Sequence, residues 1–401
     1  MEDADTPSAK SGQTLAGITI LLMVIIGATT AVGLSPILPQ IRAEFAATPG
    51  ADFLTKALIT VFGISALVGS PLTGWLLKHW GARNLFLGTA ITFIAAGLGG
   101  MVAPNLIMLV FTRFVSGVAA AICGAAYYTF VMTQYPPGKR ERWLGYLGTI
   151  GAIWAVVVSI LAGELSQFGW RFALLTHLLA LPLLVLIPVA FRKSTWTQAT
   201  PDSSVARSDT GLRRMTPAIV VGLFSGAIVM STPLYLPLQL SAIGVTDARA
   251  IGLLMAWYMV ISATSAFLYG NLRRFLSVAG VNLLAFSAAG AGYLSLALWP
   301  EAQWRLAELV VLGCGTGLLT PNLAAFAGRR GDAIEKAKSI GISKAAYFVG
   351  AFLFQALLAA LAITAANLSL VALAMICIPG AAMLLAARPG SGRARASEPA
   401  E

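Results

Sequence analysis

The sequence predicts an all-α integral membrane protein, with twelve transmembrane helices arranged as two six-helix bundles related by pseudo-twofold symmetry. Three observations carry this: apolar runs of membrane-spanning length, basic residues gathered on one side of those runs, and a short pattern that recurs in each half of the chain.

The solvent for most of the chain is lipid. Of its 401 residues, 58% are hydrophobic and 11% are charged, and the mean hydropathy is +0.81, a balance unsuited to a water-facing domain of this length. A helix needs roughly 20 apolar residues to cross a hydrocarbon core of about 30 Å. Twelve runs meet that length, at 15–38, 54–77, 84–102, 105–132, 143–165, 171–191, 215–240, 250–270, 277–299, 305–327, 340–363 and 367–387. Lipid offers no partner to a bare amide, and the alternating pattern of barrel strands is absent, so the runs are expected to be helices. The first is too long for the apolar core of a cleaved signal peptide and continues into "SPILPQIRAEF", so it is expected to stay in the membrane.

Placing the N-terminus inside assigns 20 of the 27 Lys and Arg to cytoplasmic segments. It leaves Arg42, Lys56, Arg171, Arg249 and Arg305 outside, and Arg113 and Lys344 within runs. That asymmetry predicts a multi-pass protein of the inner (plasma) membrane with both termini cytoplasmic. The net charge of +11 is then an orientation signal and not a nucleic-acid footprint. The expected organisation is a cytoplasmic tail at 1–14, a six-helix bundle at 15–191, a polar linker "RKSTWTQATPDSSVARSDTGLRR" at 192–214, a second bundle at 215–387 and a tail at 388–401. A monomer is expected.

Taken in order, the first run offers only Thr29 and Thr30 as polar groups at depth. After the second run, "GWLLKHWGARN" sets Gly74, Lys78, Gly81 and Arg83 in a basic turn. "SAFLYGNLRRFLSVAG" after the eighth run echoes it, with Gly270 matching Gly74 and Arg274 matching Lys78. Parallel six-helix repeats of this kind place a substrate site near the midplane, between the halves.

The fourth run carries Arg113 roughly 13 Å deep by helix rise, where insertion costs at least ~2.5–3.5 kcal/mol. Gly117, Ala120, Gly124, Tyr127 and Tyr128 extend a similar face toward the cytoplasm. Two readings of Arg113 stay open: a cavity residue that binds an anionic group or biases a proton carrier, and a structural residue bonded to helix carbonyls. The fifth run holds a glycine ladder at Gly145, Gly148 and Gly151, and the sixth holds His177, expected to pack near the outer end. His79 is expected at the surface, and Lys344, at the inner end of the eleventh run, is expected to snorkel to the cytoplasm.

In the seventh run Pro233 and Pro237 interrupt the hydrogen-bond ladder beside Tyr235 and Gln239. The eighth adds Trp257 and Tyr258, the tenth Asn322 after Pro321, and the eleventh Gln355, each open to lining a cavity or to packing. None of the 16 carboxylates lies at the centre of a run. The nearest, Glu164 and Glu308, are expected about one turn inside the outer boundary, facing water or, for Glu308, pairing with Arg305 or Arg113. No cluster has metal-ligand spacing and no catalytic triad, P-loop or nucleophile elbow occurs, so no metal, cofactor or enzyme chemistry is expected. Cys123, Cys314 and Cys377 lie inside apolar runs as packing residues.

Four of these places resemble the major facilitator superfamily. The turn at 74–83 resembles its G-x-x-x-D-x-x-G-x-R pattern, with Lys78 where the aspartate stands. "LVFTRFVSGVAAA" resembles its R-x-x-x-G signature through Arg113 and Gly117. The fifth-run ladder and closing "FGWRF" resemble the antiporter-type helix, with Val158 and Ser159 in place of Gly-Pro, and "GCGTGLLTPNLAAFAGRR" resembles the tenth helix and its basic loop.

The resemblance, most like drug or metabolite:proton antiporter-type bacterial members, implies the major facilitator fold and secondary active transport of a small-molecule solute across the lipid bilayer by alternating access. Protons are the implied coupling ion, and Arg113 is the position linked to them. Gly74, Lys78, Gly81, Arg83, Gly117, Gly270 and Arg274 are then conformational-gate candidates. Lys78 reverses the charge of an aspartate that latches onto a helix N-terminus of the opposite half, unless Glu335 or Asp332 pairs with it. Candidate substrate or proton-coupling residues are Arg113, Tyr127, Tyr128, Tyr235, Gln239, Trp257, Asn322, Gln355, Glu164 and Glu308. The leading expectation is proton-linked efflux of a neutral or anionic compound, because no carboxylate waits at depth for a cation. Organic-anion uptake or facilitated transport is one alternative, and a receptor or scaffold that moves nothing is another.

Overall fold

The structure is a computed structural model and describes residues 7–135, 137–191, 212–299, 304–327, 333–361 and 366–386. Every regular element among them is helical. The first half holds α1 (Pro7–Val32), α2 (Leu38–Glu44), α3 (Ala51–Met101), α4 (Leu106–Gln134), α5 (Pro137–Leu165) and α6 (Leu181–Ala190). The second holds α7 (Leu212–Ala242), α8 (Ala248–Leu272), α9 (Val278–Leu298), α10 (Arg305–Ala327), α11 (Ala333–Ala360) and α12 (Ala366–Ala386). Among the described residues nine helical segments are long and apolar enough to cross a membrane, and two shorter apolar ones lie at Ala346–Leu358 and Asn367–Ile378. Most of the expected linker, 192–211, and the tail at 388–401 lie outside the described residues.

One of the nine segments carries two of the expected runs. α3 is 51 residues long, and a straight helix of that length would exceed twice the ~30 Å hydrocarbon thickness. It is broken at Gly81, whose φ of 72° and ψ of 166° fall in a region open essentially only to glycine. The chain doubles back there. Ser65 Oγ on the first limb donates to Phe114 O of α4 at 3.0 Å, while Gly100 on the second limb faces Leu109 and Thr112 of the same helix. The loop expected between the second and third runs is therefore reduced to a sharp bend, because Gly81 alone absorbs the reversal.

Two further expectations are corrected. The run at 15–38 is not one helix: α1 stops at Val32, Gly33 N–H bonds Thr29 O at 2.8 Å, and a single 3-10 turn at Ser35–Ile37 leads into α2. Pro36 has no N–H to continue the ladder. The sixth run begins as a 3-10 stretch, Trp170–Ala180, before α6.

Within each half, packing relies on small residues and on polar groups turned to backbone. A Cβ on Gly117 would lie 2.7 Å from that of Ser65, so α3 and α4 approach at that point only because glycine is there. His177 is 2% exposed and stacks on Phe93 at 4.6 Å between centroids, in the packing role expected of it. In the second half Tyr293 on α9 donates to Ile228 O on α7 at 2.6 Å.

Candidate functional site

The two halves enclose a central cavity of about 170 Å³. Ala31 and Val32 of α1, Ile59, Thr60, Phe62 and Gly63 of α3, and Ala155 of α5 face Val229, Met230 and Pro233 of α7, Tyr258 and Met259 of α8, and Phe348 and Ala351 of α11. A second chamber of about 220 Å³ shares Ala155, Val229, Tyr258 and Met259 and extends along α8 and α10 to Ala266 and Thr320. Among the described residues no charged side chain lines either space. The polar groups at the wall are hydroxyls, and Tyr258 and Thr316 hold each other at 2.9 Å. Such a surface takes apolar solutes by area burial and orients them with a few hydrogen bonds.

At the end of the bundle remote from the chain termini the halves touch. Glu164 Oε1 of α5 meets Arg249 Nε of α8 at 2.6 Å, and Ser159 Oγ donates to Gly252 O at 3.3 Å. A Cβ on Gly163 would lie 2.9 Å from Ala248 O, so this crossing of α5 over α8 depends on glycine. Lys56 of α3 lies over the Tyr235 ring of α7 at 5.9 Å while pairing with Asp52 at 2.8 Å, and Asp52 also takes Arg42 at 3.0 Å. Nearer the cavity Phe62 and Phe348 meet edge to face across the halves.

The expected site residues scatter around this cavity. Arg113 is 3% exposed and sits inside the first half, where Nη2 donates to Thr30 O at 2.5 Å and Nε to Leu58 O at 3.4 Å. It does not line the cavity. Tyr235 and Gln355 are brought together, with a 2.6 Å bond from the phenol to Oε1 that ties α7 to α11. Gln239 donates to Leu296 O at 2.9 Å, and Asn322 joins Tyr269 and Val278 O, both as links within the second half. The rings of Tyr127 and Tyr128 lie against each other on α4, tilted by 43° with centroids 4.9 Å apart, and neither lines the cavity. Trp257 faces outward, 40% exposed, with its indole N–H toward Leu306 O, and its neighbour Tyr258 is the cavity residue.

Of the two alternatives for Glu308 the structure takes the paired one: it does not face water but is 4% exposed and paired with Arg305 at 3.3 Å on the flank of the second half. Glu164, expected as a substrate or water-facing group, is spent on the contact between halves. Lys78, Arg83 and Arg274 are exposed and no described atom lies within 4 Å of a Cβ built on Gly74 or Gly270, so no described residue of the opposite half packs against those two glycines. The side chains of Glu335 and Lys344, and the whole of Asp332, lie outside the described residues. Phe62, Val229, Met230, Met259 and Phe348 were not singled out by the sequence, since apolar residues on a spanning helix carry no mark that separates cavity from core.

The profile of the Major Facilitator Superfamily matches residues 19–355. The chain belongs to the major facilitator superfamily. It is therefore a multi-pass membrane protein of a transporter family and not an enzyme. It is 33% identical over 118 residues to the multidrug export protein EmrB of Escherichia coli (strain K12), a match covering 29% of this chain and 23% of that one. It is 25% identical over 324 residues to a multidrug resistance protein B homolog of Mycobacterium tuberculosis (strain CDC 1551 / Oshkosh), covering 77% and 58%. The chain thus spans well under two thirds of the length of these relatives. Its fold matches a crystal structure of a D-xylose-proton symporter with a TM-score of 0.77 at 14% identity, covering 92% of this chain and 97% of that one. It matches the inward-open xylose transporter XylE from E. coli with a TM-score of 0.75 at 13% identity, covering 95% and 98%. Two six-helix bundles of the major facilitator fold are thereby shown.

Proposed function

We propose that this superfamily member is a secondary active transporter that exports small lipophilic, uncharged solutes by alternating access, in exchange for protons. The observation that carries the reading is the central cavity: it lies between the halves, it is walled by aliphatic and aromatic side chains, and among the described residues its polar contacts are hydroxyls. A buried charge would be costly there, because none of the described lining residues supplies a counter-charge. The relative named as a multidrug export protein supports the direction, and it and the multidrug resistance protein B homolog support the breadth of cargo.

The basic residues flanking the runs support cytoplasmic termini; on that orientation the closed remote end faces outward and the cavity is loaded from within. Organic-anion transport finds less support, because the guanidinium of Arg113 is turned to Thr30 and Leu58. Arg113 acts as a positioning residue that ties α4 to α1 and α3.

A thermal-shift screen of the purified protein tests the cargo class. Uncharged lipophilic solutes are expected to stabilise it, and the shift is expected to shrink in Phe348→Ala and Met230→Asp. Stabilisation by organic anions alone would refute the reading.

A further inference from the structure

A second cavity, of about 510 Å³, opens on the flank of the second half between α9 and α10 and shares no lining residue with the central one. Its walls are Ala291 and Ser295 of α9, Trp299, and Trp304, Glu308 and Val311 at and within α10. Leu298 and Leu306 beside it are 56% and 55% exposed, so the mouth opens toward lipid rather than toward the path between the halves. We propose that this cavity binds one zwitterionic phospholipid of the outer leaflet, with the ammonium of its headgroup held by the Glu308 carboxylate and the indoles of Trp299 and Trp304.

The polar floor is built and not incidental. Glu308 Oε1 accepts from Ser295 Oγ at 2.9 Å, and Oε2 accepts from Arg305 Nη1 at 3.3 Å, with the two ionic side chains only 4% and 7% exposed. A carboxylate has acceptor sites beyond these two bonds. The charge count selects the ligand. Among the described residues of this floor Glu308 and Arg305 sum to zero, so against them a zwitterion leaves no uncompensated charge at a poorly solvated flank, whereas a net cation or a net anion does.

Within the zwitterion, the ammonium is the end that suits the wall. It finds a carboxylate, and the faces of two indoles attract cations. Tryptophan is also at home at headgroup depth, which places the mouth level with the lipid's polar end. The short side chains of Ala291 and Val311 leave room for the first part of an acyl chain.

The test uses the full chain and lipids of matched acyl composition. Native mass spectrometry after exposure to phosphatidylethanolamine is expected to show one retained lipid that phosphatidylglycerol does not supply. Thermal unfolding in phosphatidylethanolamine nanodiscs is expected to exceed that in phosphatidylglycerol nanodiscs. Both effects are expected to vanish in Glu308→Gln and to weaken in Trp304→Ala, and to persist in Phe267→Ala, which alters an exposed aromatic elsewhere on the lipid face. Should Glu308→Gln fail to fold, Ser295→Ala and Trp304→Ala carry the same comparison. Equal retention of both lipids, a preference that survives all three cavity variants, or the same stabilisation by soluble glycerophosphoethanolamine would overturn the proposal.

Discussion

The Glu164 carboxylate on α5 meets the Arg249 guanidinium on α8 at 2.6 Å, and this ion pair joins the two halves of the chain. The side chains are 39% and 55% exposed, so the pair is worth about 0.2–1 kcal/mol, a small contribution to folding. It weighs more on conformation, because it exists only while the remote ends are together. Glu164→Gln is expected to move the equilibrium toward the open remote end by about 1.4- to 5-fold. Labelling of a cysteine placed at that end, in a background free of Cys123, Cys314 and Cys377, reads the shift. The exchange Glu164→Arg with Arg249→Glu is expected to restore the starting balance; a swap no better than either single change would remove the pair from the mechanism.

Gly252 tests the same closure through shape. A Cβ there would lie 2.9 Å from Ser159 O and 3.4 Å from the Cα of Gly163, and larger side chains have no flexible neighbour to displace. Gly252→Val is expected to hold the remote ends apart and to raise labelling more than Glu164→Gln does. Unchanged labelling would mean that α5 and α8 do not part in the transport cycle.

Arg113→Lys keeps the charge but loses the fork that reaches both Thr30 O and Leu58 O. Loss of one interhelical hydrogen bond in a membrane bundle costs about 0.6–1.7 kcal/mol. The expected outcome is a lower unfolding temperature with solute affinity intact. An affinity that falls while stability holds would return Arg113 to the binding site.

Gly81→Ala is expected to destabilise the first half by roughly 1–3 kcal/mol, since alanine at φ 72° and ψ 166° is strained whatever space surrounds it. Gly74→Ala, inside regular helix and facing open space, is expected to be neutral or slightly stabilising. Equal effects of the two, read by thermal unfolding, would contradict the assignment of the reversal to Gly81.

The architecture was legible in the sequence because run length follows from the thickness of a bilayer and the echo of Gly74–Lys78 in Gly270–Arg274 follows from a repeated six-helix unit. The cavity was not. On a spanning helix the side chains that face lipid, core and an apolar cavity are drawn from the same residues, so Met230 and Phe348 carried no signal. Polar residues stand out in the sequence instead, and several of them, Arg113, Gln239 and Asn322 among them, satisfy backbone groups inside a bundle. Trp257 against Tyr258 shows how fine the distinction is. One residue along a helix turns the side chain by about 100°, which here separates the lipid face from the cavity. Glu308 was visible as a carboxylate near a boundary, but its burial with Ser295 joins residues on two helices and no spacing in the chain announces it.

The most direct test of the central claim is transport into inside-out proteoliposomes with an imposed proton gradient, acid within, using two solutes of one scaffold: an uncharged methyl ester and the corresponding carboxylate. The account predicts gradient-dependent accumulation of the ester, reduced by Met230→Asp. Accumulation of the carboxylate alone, or of neither solute above protein-free vesicles, would contradict it.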